Sequence, residues 1–189
     1  MPKMYILSGC NGAGKTTASY TLLPELLGCH EFVNSDEFAK SISPFDPAAA
    51  SITASRYMLR KINYLLERNE DFSVETTLAT RSLEGIIERA KERGYTITIL
   101  YFWLSSPDIA VKRVRDRVLA GGHNIPEEVI RRRYTMGLQY FFNTYLQLCD
   151  KWILADNTIT PFTVVAEGTG QVIYIMDNDK YQIIRNLAK

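Results

Sequence analysis

The sequence predicts an α/β fold: a mainly parallel five-stranded sheet flanked by helices, with a helical lid and a C-terminal hairpin. Three observations predict it. Apolar runs of strand length alternate along the chain with segments of helical period. A glycine-rich stretch, Gly9-Cys10-Asn11-Gly12-Ala13-Gly14-Lys15-Thr16, joins the first run to the first helical segment. And 189 residues with 46% hydrophobic and 23% charged side chains suit one globular domain spanning 1–189.

Taken in order, residues 4–7 are a short apolar run, the length of a buried parallel strand. Residues 17–27 carry Ala18, Leu22 and Leu26 at helical spacing and stop near Gly28. A second strand over 31–34 breaks at Ser35-Asp36. Pro44 and Pro47 interrupt a loop before a long helix over about 48–68. Residues 72–76 form a third strand, and a helix over 82–93 closes at Gly94. Residues 95–104, rich in β-branched and aromatic side chains, are the most strand-like run present. A helix over 107–119 begins with Pro107 and Asp108, both favourable in a first turn. Gly121-Gly122-His123-Asn124 reads as a flexible break before a helix over 126–150. Residues 152–155 are the fifth strand, and 163–167 with 171–176 flank Gly168-Thr169-Gly170 as a hairpin.

The glycine stretch fits G-x-x-x-x-G-K-[ST] without a mismatch, and strand, loop and helix predict a P-loop NTPase or kinase fold. Glycine lets the backbone approach phosphates with no Cβ in the way. The N–H groups from Gly9 through Cys10, Asn11, Gly12, Ala13 and Gly14, and on to Lys15, Thr16 and Thr17, converge at the positive end of a helix. Lys15 supplies a mobile point charge for the β- and γ-phosphates, and the Thr16 hydroxyl a ligand for Mg²⁺. ATP and Mg²⁺ are the expected cofactors.

Ligands of such sheets bind beyond the carboxyl ends of the strands. Asp36, after Ser35 at the end of strand two, is placed to take a proton from an attacking hydroxyl, or else caps the helix that begins at Glu37. Glu75, beside Thr76 at the end of strand three, holds an acceptor hydroxyl, supports Mg²⁺, or is a solvated strand-end acid. Asp156 follows strand five on the same edge.

Basic residues cluster at a lid over about 117–133. Arg113, Arg115 and Arg117 precede the glycine break, and Arg131, Arg132 and Arg133 follow it. Phosphoryl transfer needs guanidinium groups on a segment that closes over the phosphates, and Gly121 and Gly122 give that segment freedom. Three consecutive arginines span most of a helical turn, so they cannot all face inward. The apolar face through Ile130, Tyr134 and Leu138 favours Arg133 and turns Arg132 away. Any of these arginines has the alternative of a solvated helix face, and His123 is either a lid contact or a loop residue.

A formal net charge of +1 and no basic–aromatic tract argue against nucleic acid as a partner. Three cysteines with no paired spacing argue against a disulfide framework or a zinc site. No apolar run reaches membrane-spanning length and residues 1–8 lack a signal layout, so a cytoplasmic location is expected.

The phosphate loop, then Phe32-Val33-Asn34-Ser35-Asp36-Glu37-Phe38, then Glu75-Thr76-Thr77-Leu78 resemble the zeta toxin family of P-loop kinases. Arg117-Val118-Leu119-Ala120-Gly121-Gly122-His123-Asn124-Ile125-Pro126, with Arg132-Arg133-Tyr134, is similar to the lid of its short chromosomal members, and Asp156-Asn157-Thr158 to their last strand end. The resemblance covers about residues 3–158. It implies a small-molecule kinase using ATP, with a UDP-amino sugar (UDP-N-acetylglucosamine) as the family's best-known acceptor. It also implies Lys15 on the phosphates, Asp36 as base, Glu75 near the acceptor, Arg117 with a further lid group on the γ-phosphate, and an antitoxin-like protein inhibitor. The family's second lid arginine falls at His123 here, where the run from Arg131 to Arg133 offers charge from a different place. From the residues alone, a nucleotide-dependent switch without a small-molecule acceptor is the competing class.

Overall fold

The computed structural model describes residues 1–122 and 124–189. His123, expected in the lid, lies outside the described residues. β1 (Lys3–Ser8) is central, running parallel to β3 (Phe72–Thr76) on one side and β4 (Thr96–Trp103) on the other. β2 (Glu31–Val33) lies outside β3, and β5 (Lys151–Asp156) outside β4, both parallel. Met4, Ile6 and Leu7 of β1 are fully buried, because a strand with neighbours on both edges and helices on both faces has no solvent side. Each such side chain contributes about 1.5–3 kcal/mol. A charge at Ile6 would break the sheet at its centre.

The register decides where chemistry can occur. Leu7 pairs with Glu75, Ser8 with Thr76 and Tyr101, and Trp103 with Asp156. The carboxyl ends of the strands are staggered by about two residues, and the glycine loop, Glu75 and Asp156 emerge along that one edge.

The expected C-terminal hairpin is present as β6 (Thr163–Thr169) and β7 (Val172–Ile175). β6 pairs antiparallel with β5, extending the sheet to seven strands in the order β2-β3-β1-β4-β5-β6-β7. Helix boundaries also shift. α1 (Lys15–Thr21) starts inside the loop motif and widens into a π-type turn, Leu22–Leu26, where Pro24 has no N–H to give. The strand breaks before Ser35-Asp36 as expected, and these residues form the first turn of α2 (Ser35–Ile42). It is followed by α3 (Ser51–Arg68), α4 (Glu84–Glu92) and α5 (Pro107–Leu119). α6 (Glu127–Asn143) ends before the expected position, at Thr144 (φ −127°), and a single 3-10 turn follows. α7 (Asn178–Leu187) was not expected. Its signals are weak, since among its residues only Ile184 is buried, but the Asp177 side chain accepts from the Lys180 N–H at its start. One apolar cluster runs from Met4 to Ala188.

Candidate functional site

The glycine loop is held by its neighbours as well as by its own turns. Gly14 has φ +83°, and a Cβ there would strike the Asn157 amide, which donates to Ala13 O at 2.7 Å. Lys15 is not the mobile charge its sequence suggests. It is only 6% exposed, folded back to donate to Cys10 O at 3.0 Å, with Glu75 3.8 Å away. Cys10 is buried and its thiol is pushed up to about 11 by desolvation, so it fills space and carries no thiolate chemistry. Cys29 and Cys149 are likewise free and buried.

Glu75 is the hub of the polar network. Its side chain, 10% exposed, accepts from the Thr16 hydroxyl at 3.0 and 2.8 Å and from Asn34 Nδ2 at 2.9 Å. Burial raises its pKa above the ordinary carboxylate value, against the opposing pull of Lys15 and the Thr16 hydrogen bond. The solvated strand-end alternative does not describe this residue. Thr76 points its hydroxyl into the chain, accepting from the Leu78 N–H at 3.1 Å.

Asn34 was missed as a functional residue. Its Oδ1 accepts from the Asp36 N–H (2.9 Å) and the Glu37 N–H (3.3 Å), which makes it the N-cap of α2. Asp36 is therefore not the cap; it sits in the first turn of α2, exposed, with its carboxylate left for other work. One side chain thus fixes Asp36 with its carbonyl and Glu75 with its amide. The signal in the sequence was Asn-x-Asp at a strand end, readable as a cap but silent about Glu75.

The lid segment is a helical hairpin. α5 ends in a Schellman motif, with Gly122 N–H bonded to Arg117 O (2.8 Å) and Gly121 N–H to Val118 O (3.0 Å). These glycines serve the cap, and a Cβ at Gly122 would collide with Arg117. Across the hairpin, Arg131 bonds Asp108 at 2.6 Å and Arg115 bonds Glu127 at 2.7 Å, while within α6 Arg131 also bonds Glu127 at 2.8 Å. Those two arginines are occupied on the outer face, and Arg132 is exposed and outside the cleft. Arg133 turns inward and donates to Asn11 Oδ1 at 3.1 Å. Arg113 reaches Gly12 O (3.4 Å) and Thr158 O (2.9 Å). The i, i+4 spacing of Arg113 and Arg117 was the signal that would have grouped them on one face of α5.

These pieces meet in one cleft of about 960 Å³ along the carboxyl edge of the sheet. Lys15, Thr16, Thr17, Ser35, Asp36 and Glu75 line it, and Arg113, Arg117 and Arg133 face it from the lid. Gly121 and Gly122 do not. Asp156 is held aside by Thr158 and by Lys180 at 2.9 Å. No group of three or more His, Cys, Asp or Glu residues suited to a metal occurs among the described residues. Mg²⁺ needs less from a protein, one or two oxygens besides water and phosphate, and Thr16 Oγ1 with the buried Glu75 carboxylate fits that donor set. The cleft thus combines an anion-binding backbone, five basic side chains, an oxygen pair for a hard cation and an exposed carboxylate.

A family profile described as Zeta toxin matches residues 1–148. A Haemophilus influenzae protein described as uncharacterized is 29% identical over 132 residues, 70% of this chain and 92% of that one. Among solved structures, the AvrRxo1-ORF1:AvrRxo1-ORF2 complex with sulphate ions superposes with a TM-score of 0.79 at 18% identity over 97% of this chain. The chain spans 63% of the length of that relative. The same complex with ATP gives 0.80 over the same shares. The PezAT chromosomal toxin-antitoxin system of Streptococcus pneumoniae gives 0.68 at 14% identity, covering 99% of this chain and 86% of that one. At such identities these structures establish the fold, that of the P-loop kinases.

Proposed function

Because the chain belongs to the zeta toxin family, we propose that it is an ATP-dependent kinase that moves the γ-phosphate to a hydroxyl of a small molecule. Residues 1–189 act as one kinase unit. The observation that carries the reading is the placement of Asp36. It lines the same cleft as Lys15 and Thr16 and is free of the helix cap, which Asn34 provides.

The loop N–H groups cradle the phosphates, and Lys15 leaves Cys10 O to take the β/γ oxygens. Thr16 and Glu75 would hold Mg²⁺, which would supply charge neutralisation on the phosphates. Arg117 and Arg133, with Arg113 beside them, stabilise the transferring phosphoryl group from the lid. Asp36 accepts the proton of the acceptor hydroxyl as the new P–O bond forms and the bond to ADP breaks. A UDP-amino sugar is the acceptor the family resemblance offers. A protein inhibitor of antitoxin type is the partner proposed, on the support of relatives described as toxin-antitoxin and two-component complexes. Among the described residues no helix is long and apolar enough to cross a membrane.

Asp36→Asn tests the reading. Asn keeps the size and one oxygen but takes no proton at neutral pH. Mg-ATP binding should match wild type while single-turnover transfer falls by about 10²–10⁴-fold. Weakened Mg-ATP binding would place Asp36 on the metal's water shell instead. Wild-type transfer with intact binding would remove it from the mechanism.

A further inference from the structure

The two outer edges of the seven-stranded sheet are finished differently. At one end β2 is only three residues long, and its Glu31 is held by Lys61 at 2.6 Å. Shortness and charge are the usual means of blunting an edge strand against other chains. At the other end β7 and the residue after it read Val172-Ile173-Tyr174-Ile175-Met176, with no charge, proline or glycine. All five side chains are 43–60% exposed. The register of β7 with β6 runs from Val172 to Ile175 without a bulge. α7 follows, but it packs on β6 and α6, and β7 remains the last strand of the sheet.

The hydrogen bonding of that edge selects what covers it. Met176 donates inward to Val165 O at 2.9 Å. Successive residues of an antiparallel strand bond alternately to one side and the other, so Ile173 and Ile175 turn their N–H and C=O groups outward. A second β7, brought up antiparallel about a two-fold axis through Tyr174, sets Ile173 opposite Ile175 of the other copy and Val172 opposite Met176. The Ile173–Ile175 pairs then exchange backbone hydrogen bonds, and the two Tyr174 side chains meet between them on the axis. Every facing pair is apolar, so the run is complementary to itself, as an isologous contact requires. The five side chains expose roughly 500 Å² per copy, so the pair covers up to about 1,000 Å², the floor for a biological interface. We propose that β7 is a homodimer contact, joining two chains edge to edge in one continuous sheet with a dissociation constant of about 1–100 μM. The blunted β2 edges then stop growth at the dimer. Among the described residues none of β7 lines the cleft, so the contact leaves it open and does not depend on the kinase reading.

Sedimentation of the full chain from about 1 to 200 μM tests the proposal, and its mass should rise from monomer to dimer and stop there. A monomer throughout, or association that continues past the dimer, overturns it. Ile175→Pro removes an outward N–H that the chain's own sheet does not use, a position where an edge strand tolerates proline. It should weaken the dimer at least about tenfold; an unmoved dissociation constant would overturn the edge pairing. Cross-linking decides the matter whether or not the proline variant folds. Tyr174→Cys sets two thiols at a non-hydrogen-bonded pair with about 4.5 Å between Cα atoms, within the span of a disulfide. Ile173→Cys stands about 8 Å from its counterpart across the axis, beyond that span. Cys10, Cys29 and Cys149 are buried and do not compete. Under mild oxidation the Tyr174→Cys chain should therefore cross-link at least about tenfold faster than the Ile173→Cys chain. Equal rates, or no cross-link from either, would overturn the two-fold arrangement.

Discussion

The two halves of the cleft are held by different physics. The core of the nucleotide half is local, one strand, one loop and one helix in continuous sequence from Lys3 to Thr21, to which Asn157, Arg113 and Arg133 are added from a distance. The acceptor half is assembled from a distance. Asn34 and Glu75 are 41 residues apart and Thr16 and Glu75 are 59 apart, yet two hydrogen-bonded links join them. A local motif survives many changes elsewhere in the chain, whereas the relay from Thr16 through Glu75 and Asn34 to Asp36 depends on the register of β1 against β3. Nucleotide binding should therefore be robust, and placement of the acceptor base should be the sensitive element.

The largest effect strikes the local half. Lys15→Ala should lower transfer by about 10³-fold or more, since it removes a point charge from the β/γ oxygens. It also strips buried Glu75 of its nearest cation, so thermal unfolding should accompany the kinetics; transfer within tenfold of wild type in folded protein would break the assignment. Next comes Arg117→Ala, which should cost about 10²-fold in kcat and much less in ATP affinity, if its charge acts on the transition state. Equal turnover numbers for mutant and wild type would return Arg117 to a solvated helix face.

Asn34 sharpens the comparison because it belongs to the relay alone. Asn34→Ala should reduce transfer about tenfold and stability by about 1 kcal/mol, with Mg-ATP affinity nearly unchanged. Asn34→Asp retains the cap but loses the donor to Glu75 and adds a like charge beside it. If the relay matters, Asp should transfer more slowly than wild type at equal stability of α2; full activity would reduce Asn34 to a cap.

The smallest effect is on stability against pH, measured without nucleotide. Burial raises the Glu75 pKa in the folded protein. The folded state therefore binds that proton more readily than the unfolded chain does. Its stabilising contribution is complete below the unfolded value and is lost as pH rises through the raised folded one. Relative to Glu75→Gln, the wild-type protein should lose stability as pH climbs from acid toward neutral. A slope of the opposite sign would mean that Lys15 and Thr16 outweigh desolvation.

The same contrast explains what the sequence could disclose. The loop, Lys15, Thr16 and the order of the first five strands follow from neighbours in the chain and were legible. Apolar spacing on α6 turned only Arg132 away and left Arg131 and Arg133 both flanking the face, so the choice of Arg133 over Arg131 was not fixed by the sequence. The role of Asn34 was not legible, because a cap signal looks the same whether or not the other end of the side chain meets Glu75. The buried, folded-back Lys15 depends on a carboxylate 60 positions away that no local pattern announces. The hairpin's attachment to β5 and the helix from Asn178 also escaped, since edge pairing and a single buried Ile184 leave little periodicity to read.

The central claim is that both halves act on one phosphoryl group. The most direct measurement follows γ-labelled ATP with the purified protein, with and without a pool of small hydroxyl compounds. The account predicts that ADP forms at least about tenfold faster with the pool, and that the label appears in a phosphate ester in equal amount. Label released as inorganic phosphate at the same rate with or without the pool would contradict it and leave a nucleotide-driven switch in its place.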